Sequence, residues 1–266
     1  MTAEYCAWQS GLSRIVDDEL EQEDLTMANV TEIAPDVYRI SIFNESIGLQ
    51  FNHFLIKDDE PLLYHAGYRA NFTELSEAVE QLIAPKEVRW IGWSHFESDE
   101  CGALNEWLGA VPSAQPVCGF LGAVVSVNDF AVRPPRVLQD GETFTTGRRR
   151  FRFISTAHVP HGWDAGVMFE ETDRTLLCSD LFTHFGAVEP LTNHDIVDRA
   201  RESLENMQRS PFAYYIPYNA RTGKILGSLA DLKPRLLATM HGSSFSGDCA
   251  QALRDLDMAM REVLSR

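Results

Sequence analysis

Imidazole and carboxylate side chains are concentrated in one short stretch, residues 94–102, with the sequence SHFESDECG. In it His95, Glu97 and Asp99 stand two residues apart, and Glu100 follows directly. Side chains at positions i, i+2 and i+4 of an extended or turning segment can point the same way, toward one cation. Because buried carboxylates without a compensating charge are very costly, this spacing predicts a metal site.

Three further metal-capable side chains lie far along the chain, each directly after a stretch with the composition of a β-strand. They are His158, Asp180 and His241. Together with His95, four separate strands are therefore predicted to end in an imidazole or a carboxylate. Since strand ends open into loops that meet in one crevice of an α/β fold, we expect these side chains to converge.

Helix capping is the simpler alternative for two of the carboxylates. Acidic residues at the start of a helix accept its free N–H groups and complement its dipole. A helix is predicted over 102–108, so Asp99 and Glu100 could serve only as caps. Capping does not explain four polar strand ends, and the metal site is therefore the preferred interpretation.

The order of these residues resembles the metallo-β-lactamase superfamily, whose hydrolases carry His-x-His-x-Asp-His after a strand and then a His, an Asp and a His at later strand ends. Here Glu97 stands where the hydrolases have their second His. That His-x-Glu-x-Asp form is similar to the flavodiiron proteins and their relatives, the oxygen-binding diiron proteins. The resemblance covers about residue 30 to the end, and it implies an α/β fold, the αββα sandwich.

The resemblance also implies a two-iron centre bridged by a carboxylate. The implied ligands form three sets: His95, Glu97 and His158 for one iron, Asp99 and His241 for the other, and Asp180 as the bridge. Zinc hydrolase sites favour imidazole, whereas a more carboxylate-rich set suits iron or manganese. We therefore expect two irons joined by an oxo or hydroxo bridge, with manganese or zinc as the other possible metals.

Two positions in this comparison leave alternatives. Glu100 stands where the family has a His that binds the second iron, so Glu100 ligates in its place, or that iron has an open position, or it binds weakly. Ligation by Glu100 is the preferred interpretation. His161 follows three residues after His158, but the sequence around His158 matches the family's His-Trp-Pro, so His161 is predicted to be a pocket residue.

Further side chains are predicted to lie around the metals. His65 occupies the position of a family Asp that contacts a ligand, with an ordinary buried histidine as the alternative. His184 follows the bridging residue closely enough to line the pocket, and Trp163 and Tyr218 are expected nearby. No catalytic residue beyond the metal ligands is predicted.

The elements that must position these residues alternate along the chain. Strands are predicted over 37–43, 51–56, 62–66, 88–93, 143–146, 150–156, 166–171, 174–179 and 235–239. Helices are predicted over 71–83, 102–108, 120–127, 193–209, 220–232 and 247–264. Helices between strands favour sheets covered by helices. Residues 1–28, with the acidic run DDELEQED, are predicted to be an N-terminal extension, and 29–266 a single metal-binding domain.

Composition narrows the class of protein. A net charge of −16 opposes binding to nucleic acid, whose phosphates repel an acidic surface. Five scattered cysteines without a CxxC pair do not indicate a disulfide framework, which suits a reducing cytoplasm. Neither a signal sequence nor an 18-residue apolar run occurs, so no membrane partner is expected. A homo-oligomer is predicted.

The resemblance implies that the centre binds O2, as a sensor or carrier, or reduces O2 or NO. Flavodiiron proteins receive electrons from a C-terminal flavodoxin domain with FMN, which is not expected in the 25 residues after His241. A reductase would then need an external electron donor. The alternatives are a dinuclear hydrolase acting on an ester, thioester or phosphodiester, and a sensory module that acts through a partner.

Overall fold

Two seven-stranded β-sheets form the centre of the protein in this computed structural model, which describes residues 28–265. The first sheet holds its strands in chain order: β1 (Asn29–Ala34), β2 (Val37–Asn44), β3 (Leu49–Ile56), β4 (Leu62–Tyr64), β5 (Trp90–Gly92), β6 (Gln115–Gly119) and β7 (Arg136–Leu138). Strands β1 to β4 form an antiparallel meander, and β4 to β7 run parallel.

The second sheet has the strand order β12-β14-β13-β11-β10-β9-β8. Its strands are β8 (Thr143–Thr145), β9 (Arg150–Ser155), β10 (Gly166–Glu170), β11 (Thr175–Leu177), β12 (Leu191–Thr192), β13 (Leu236–Ala238) and β14 (Ser244–Phe245). Strands β11 and β13 are parallel neighbours, so the chain leaves both at the same edge of the sheet.

Helices cover the outer face of each sheet. They are α1 (Phe72–Glu80), α2 (Ser98–Cys101), α3 (Leu104–Ala110), α4 (Ile196–Met207), α5 (Thr222–Asp231) and α6 (Cys249–Leu264). Short 3-10 helices occupy Arg69–Asn71 and Pro85–Glu87, and the helical segment 120–130 contains a π-helical turn, Ala123–Val127.

Alternating side chains along the strands divide the core into layers. In β3, Phe54 packs into the cluster between the two sheets, whereas Leu55 packs against the helices of the first sheet. In β11, Leu177 lies between the sheets and Leu176 against the helices of the second. Strands covered on both faces must be apolar on both, which explains runs such as FLI and LL. The predicted αββα sandwich is confirmed.

Nothing in the described part of the chain crosses a membrane as a helix, since none of its helices combines the length and the apolar character that this needs. The cysteines within residues 28–265 are all free and buried: Cys101, Cys118, Cys178 and Cys249. The predicted acidic extension lies outside the described residues, apart from Ala28, and the boundary near residue 28 stays a prediction.

Candidate metal centre

Strand ends from both sheets meet in one pocket. His95, Glu97 and Asp99 follow β5 of the first sheet, while Asp180 and His241 follow β11 and β13 of the second. The two sheets are tied together at this point, because the backbone N–H at the start of β10 (Gly166) donates to the carbonyl of Ser94 over 2.9 Å. The predicted convergence of strand ends is therefore seen for these five side chains.

Four side chains form the first part of the centre: His95, Glu97, His161 and Asp180. One ligand atom from each lies within 4.8 Å of those of all the others. His95 Nε2 is 2.7 Å from Glu97 Oε2, and His161 Nε2 is 2.6 Å from Asp180 Oδ2. Imidazole nitrogens and carboxylate oxygens at this spacing can surround a single cation.

The second part of the centre lies on the other side of Asp180. His241 Nε2 is 3.3 Å from Asp180 Oδ1 and 3.4 Å from Asp99 Oδ2. Asp180 thus directs Oδ2 toward the first group of side chains and Oδ1 toward the second. A carboxylate with this orientation can bridge two cations.

Hydrogen bonds orient the imidazoles from behind. His241 Nδ1 lies 2.9 Å from the carbonyl oxygen of Gln50, and His95 Nδ1 lies 2.8 Å from Ser94 Oγ. In each ring the Nε2 atom therefore faces the carboxylates. Such contacts fix the tautomer and the orientation of a metal-binding histidine.

Burial and charge make the pocket attractive to cations. Burial opposes protonation of His95, but the surrounding carboxylates, that of Glu100 foremost, raise its pKa to about 12. Burial opposes protonation of His241 too, but the neighbouring carboxylates of Asp180 and Asp99 raise its pKa to about 10. The pocket therefore favours positive charge, which protons or metal ions can supply.

Two buried oxygen atoms also indicate a missing positive partner. Asp99 Oδ1 and Asp180 Oδ1 are buried and have no hydrogen-bond partner. Buried carboxylate oxygens without a partner are costly unless a cation binds them. The residues of this pocket therefore fit a pair of metal ions, and the mixture of carboxylates and imidazoles suits iron or manganese.

The structure places the two histidines after β9 differently from the prediction. His158 is exposed, its backbone is left-handed with φ 65°, and it stands outside the group of ligand atoms. Its N–H donates to the carbonyl of Gly162 over 2.7 Å, which closes a turn. Because this turn reverses the chain, the buried His161 points into the centre instead.

The preferred role of Glu100 as a ligand is not supported either. Its side chain is fully buried, and its oxygens accept hydrogen bonds from the N–H groups of Ser94 and His95, over 2.7 and 2.9 Å. It lies behind His95, with Oε1 3.3 Å from His95 Nδ1. Neither Asp99 nor Glu100 caps a helix through a hydrogen bond, because α2 and α3 have no side-chain cap, although both carboxylates lie in the first turn of α2.

The predicted pocket residues occupy different places. His65 is buried, with Nε2 3.7 Å from Glu100 Oε1, so it contacts that carboxylate rather than a member of the ligand group. His184 accepts a hydrogen bond from the N–H of Ser243 over 3.0 Å and thereby supports the loop after His241.

Neither of the two other side chains expected near the metals contacts the ligand residues among the hydrogen bonds and ring contacts of the described residues. The hydroxyl of Tyr218 donates to Asp257 on α6 over 2.8 Å, while Trp163 is 42% exposed.

One residue of the centre was not predicted. Tyr215 donates its hydroxyl hydrogen to Glu97 Oε1 over 2.6 Å, and its ring lies 4.2 Å from that of His161. Burial and this carboxylate raise the pKa of Tyr215 well above its usual value, so the phenol stays protonated. It belongs to an irregular segment between α4 and α5, where no periodic pattern indicates which side chain turns inward.

Comparison with solved structures shows that the fold is similar to that of flavodiiron proteins. The rubredoxin oxygen:oxidoreductase from Desulfovibrio gigas superimposes with a TM-score of 0.76 at 22% identity, over 88% of this chain and 62% of that one. The flavodiiron protein from Giardia intestinalis gives 0.72 at 18% identity, over 88% and 60%. At this identity the likeness establishes the fold.

Relatives found by sequence are oxidoreductases or reductases by name. A rubredoxin-oxygen oxidoreductase from Megalodesulfovibrio gigas is 26% identical over 207 residues, 76% of this chain. An anaerobic nitric oxide reductase flavorubredoxin from Pectobacterium atrosepticum is 26% identical over 219 residues, 77% of this chain. The matches span 50% and 41% of these relatives' lengths. A family model described as "ODP family beta lactamase" matches residues 49–242, so the chain belongs to that family and the predicted resemblance is confirmed.

Proposed function

We propose that this protein holds two iron ions at the centre around Asp180 and binds or reduces O2 there. The observation that carries the proposal is the two-sided position of Asp180, whose oxygens face His161 at 2.6 Å and His241 at 3.3 Å. The names of the relatives, an oxygen oxidoreductase and a nitric oxide reductase, support the same class of small ligand.

Each side chain has a role in this proposal. His95, Glu97 and His161 would hold one iron, Asp99 and His241 the other, and Asp180 both. When bound as Fe(II), the two irons would supply two electrons to a small ligand, one from each iron.

Glu97 is the least buried member of the first group, with 37% of its side chain exposed, and it marks the side from which a ligand can enter. The phenol of Tyr215 holds a proton against Glu97 and fixes that carboxylate.

The direct test is iron loading without oxygen. Metal-free protein is supplied with Fe(II) under anaerobic conditions, the iron bound per chain is counted, and near-ultraviolet and visible spectra are recorded before and after O2 is admitted. We expect two irons per chain and a new absorption band with O2. Asp180→Asn, which keeps the size of the side chain but removes its charge, should bind fewer irons. A spectrum that O2 leaves unchanged would refute the proposal.

Removing the O2 afterwards separates binding from reduction. If the spectrum returns to that of the Fe(II) protein under argon, the centre binds O2 reversibly, as a sensor or carrier does. If it returns only after an electron donor is added, the centre reduces O2. In that case we propose an external donor, in line with the rubredoxin named in one relative.

A cleft beside Glu97 supports hydrolysis as the second candidate function. Its volume is about 750 Å³, and its walls include Tyr68, Arg69 and Phe130. That volume can hold an organic ester, whereas O2 needs far less space. A colourless protein that retains only zinc when grown with ample iron, and that cleaves an ester, thioester or phosphodiester, would favour this candidate.

The proposed homo-oligomer, cytoplasmic location and lack of nucleic-acid partners stay predictions. Light scattering of the full chain and of a variant without residues 1–28 tests the first of them. Loss of assembly in the shortened variant would assign the acidic extension a role in oligomerisation.

A further inference from the structure

Glu100 has a more constrained environment than any other carboxylate near the centre. It is the only one of the four from 97, 99, 100 and 180 with no measurable exposure among the described residues. Oε2 accepts the N–H groups of Ser94 and His95, and Oε1 accepts the hydroxyl of Ser179 over 2.9 Å. Both oxygens are therefore already used.

Ligation by Glu100 would break these contacts. Its carboxylate would have to leave two backbone N–H groups just after β5, for which the described residues offer no other acceptor among their hydrogen bonds. Buried N–H groups without an acceptor are strongly disfavoured. Glu100 is thus held in place as an acceptor rather than free to bind metal.

The same carboxylate lies directly behind a ligand of the first group. Glu100 Oε1 is 3.3 Å from His95 Nδ1, on the opposite side of the ring from Nε2, which approaches Glu97. A carboxylate behind a metal-binding imidazole fixes the ring and increases its basicity. Glu100 is placed to strengthen the first cation position.

The second cation position is left with fewer protein groups. His241 and Asp99 face it, and it shares Asp180 with the first position, which in addition has His95, Glu97 and His161. The described residues supply no nitrogen or oxygen from position 100 to it, because that side chain turns the other way.

We infer that Glu100 is a positioning residue for the first cation and that the two positions bind cations in sequence, the first tightly and the second weakly. The inference rests on the two-cation centre of the proposed function. It attributes the difference in affinity between the two cation positions to Glu100, whose carboxylate is held behind His95.

Stepwise addition of Co(II) to metal-free protein tests this. Cobalt gives visible bands that report each bound ion without any reaction with O2, and calorimetry gives the affinities. For the unaltered chain we expect two binding phases at least about tenfold apart. In Glu100→Gln the tight phase should weaken by about 10- to 100-fold, in the range seen when partners of metal ligands are removed, and the weak phase should remain.

Two variants serve as controls. Asp99→Asn should remove the weak phase and leave the tight one within a few-fold. Ser179→Ala, which removes one hydrogen bond to Glu100, should weaken the tight phase by less than Glu100→Gln does. Circular dichroism checks that each variant is folded, and Ser179→Ala keeps the test valid if Glu100→Gln does not fold.

The outcomes separate this inference from the proposed function. If Glu100→Gln loses the weak phase and keeps the tight one, Glu100 is a ligand of the second cation and the inference is wrong. Two equal phases, or a single bound ion, would also overturn it. Two unequal phases with the expected shifts, in a protein whose iron form ignores O2, would support the inference and refute the O2 chemistry.

Discussion

Two histidines three residues apart differ in burial in the turn after β9. His161 is buried with Nε2 2.6 Å from Asp180 Oδ2, whereas His158 is exposed. Sequence order favours His158, because it comes first after the strand and precedes Val-Pro. The left-handed backbone at His158 and the turn closed at Gly162 determine that His161 points into the centre. Neither feature can be read from the spacing of the residues.

His161→Ala should therefore lower metal affinity, whereas His158→Ala should not. We expect His161→Ala to weaken binding of the first cation by at least about tenfold, since it removes one of its four protein groups. His158→Ala, the matched control, should stay within about twofold. Calorimetric titration with Co(II) measures both. Equal losses in the two variants would contradict the geometry of this turn.

Tyr215 offers a second contrast between neighbours. Its hydroxyl holds Glu97 at 2.6 Å, whereas Tyr214 beside it is 97% exposed. Tyr215→Phe should lower the affinity for the first cation by about 10-fold, because partners of metal ligands contribute on that scale. Tyr214→Phe should leave this affinity unchanged. Rates of cobalt release to a chelator provide the measurement, and identical rates in the two variants would show that the hydrogen bond does not matter.

At the scale of residues, the sequence indicates which side chains come together in the centre, but not which of their atoms face a cation. His95, Glu97, Asp99, Asp180 and His241 could be found because each follows a strand whose end is fixed by the sheet. The roles of the remaining side chains depend on turn conformation and on hydrogen bonds between distant segments.

At the scale of elements, side chains at strand ends are held at well-defined positions, because the strands are buried on both faces. Most of the longer strands and the amphipathic helices could be predicted within a few residues, as β2, β3, α4 and α6 show, whereas the six-residue strand β1 was not predicted. Strands β12 and β14 could not, since two residues carry no periodicity, and β6 contains Pro and Gly, which disguise a strand. Their pairing is set by the rest of the sheet.

The loop after β13 depends on a glycine. Gly242 has φ 94°, and a Cβ atom there would lie 2.3 Å from the His184 ring. Gly242→Ala should destabilise the fold by several kcal/mol, roughly 1–2 from the left-handed backbone and the rest from the clash. Gly141→Ala, at φ 76° with open space, isolates the backbone contribution. Urea unfolding of both variants compares them, and equal destabilisation would disprove the clash with His184.

Asp58 joins the β3–β4 turn to the β8–β9 turn and should make stability depend on acid. Burial opposes its charge, but the N–H of Arg149, the Thr146 hydroxyl and the N–H of Arg148 outweigh burial and lower the pKa of Asp58 to about 2. Because the folded pKa lies below the unfolded value of about 3.9, the stabilisation is complete above about pH 4 and is lost as the pH falls toward 2.

Asp58→Asn should therefore cost about 1.5–3 kcal/mol at pH 6, and much less near pH 2. Its exposed neighbour in the same turn provides the control, Asp59→Asn, which should change stability little at either pH. Urea unfolding at the two pH values measures the difference. A constant difference between Asp58→Asn and the unaltered chain would contradict the role of the charge.

For the molecule as a whole, the centre joins the two sheets. The first sheet contributes His95, Glu97 and Asp99, and the second contributes Asp180 and His241. Cations bound between them bind the folded state alone, because the unfolded chain does not bring these groups together.

Metal removal should consequently lower the melting temperature. At a free cation concentration a hundred times the dissociation constant, binding adds about 2.7 kcal/mol, which corresponds to about 5–10 °C for a domain of this size. Scanning calorimetry with and without a chelator measures the shift. Asp180→Asn should reduce it strongly, and a melting temperature that ignores the chelator would contradict the cross-sheet centre.

Ser179 adopts a left-handed backbone with φ 53°, a conformation that costs a non-glycine residue about 1 kcal/mol. Ser179→Gly would relieve that cost and, at the same time, remove the hydroxyl that holds Glu100. A change that stabilises the backbone at this position would therefore loosen the carboxylate behind His95. Serine at position 179 therefore keeps the contact with Glu100 at the expense of backbone stability.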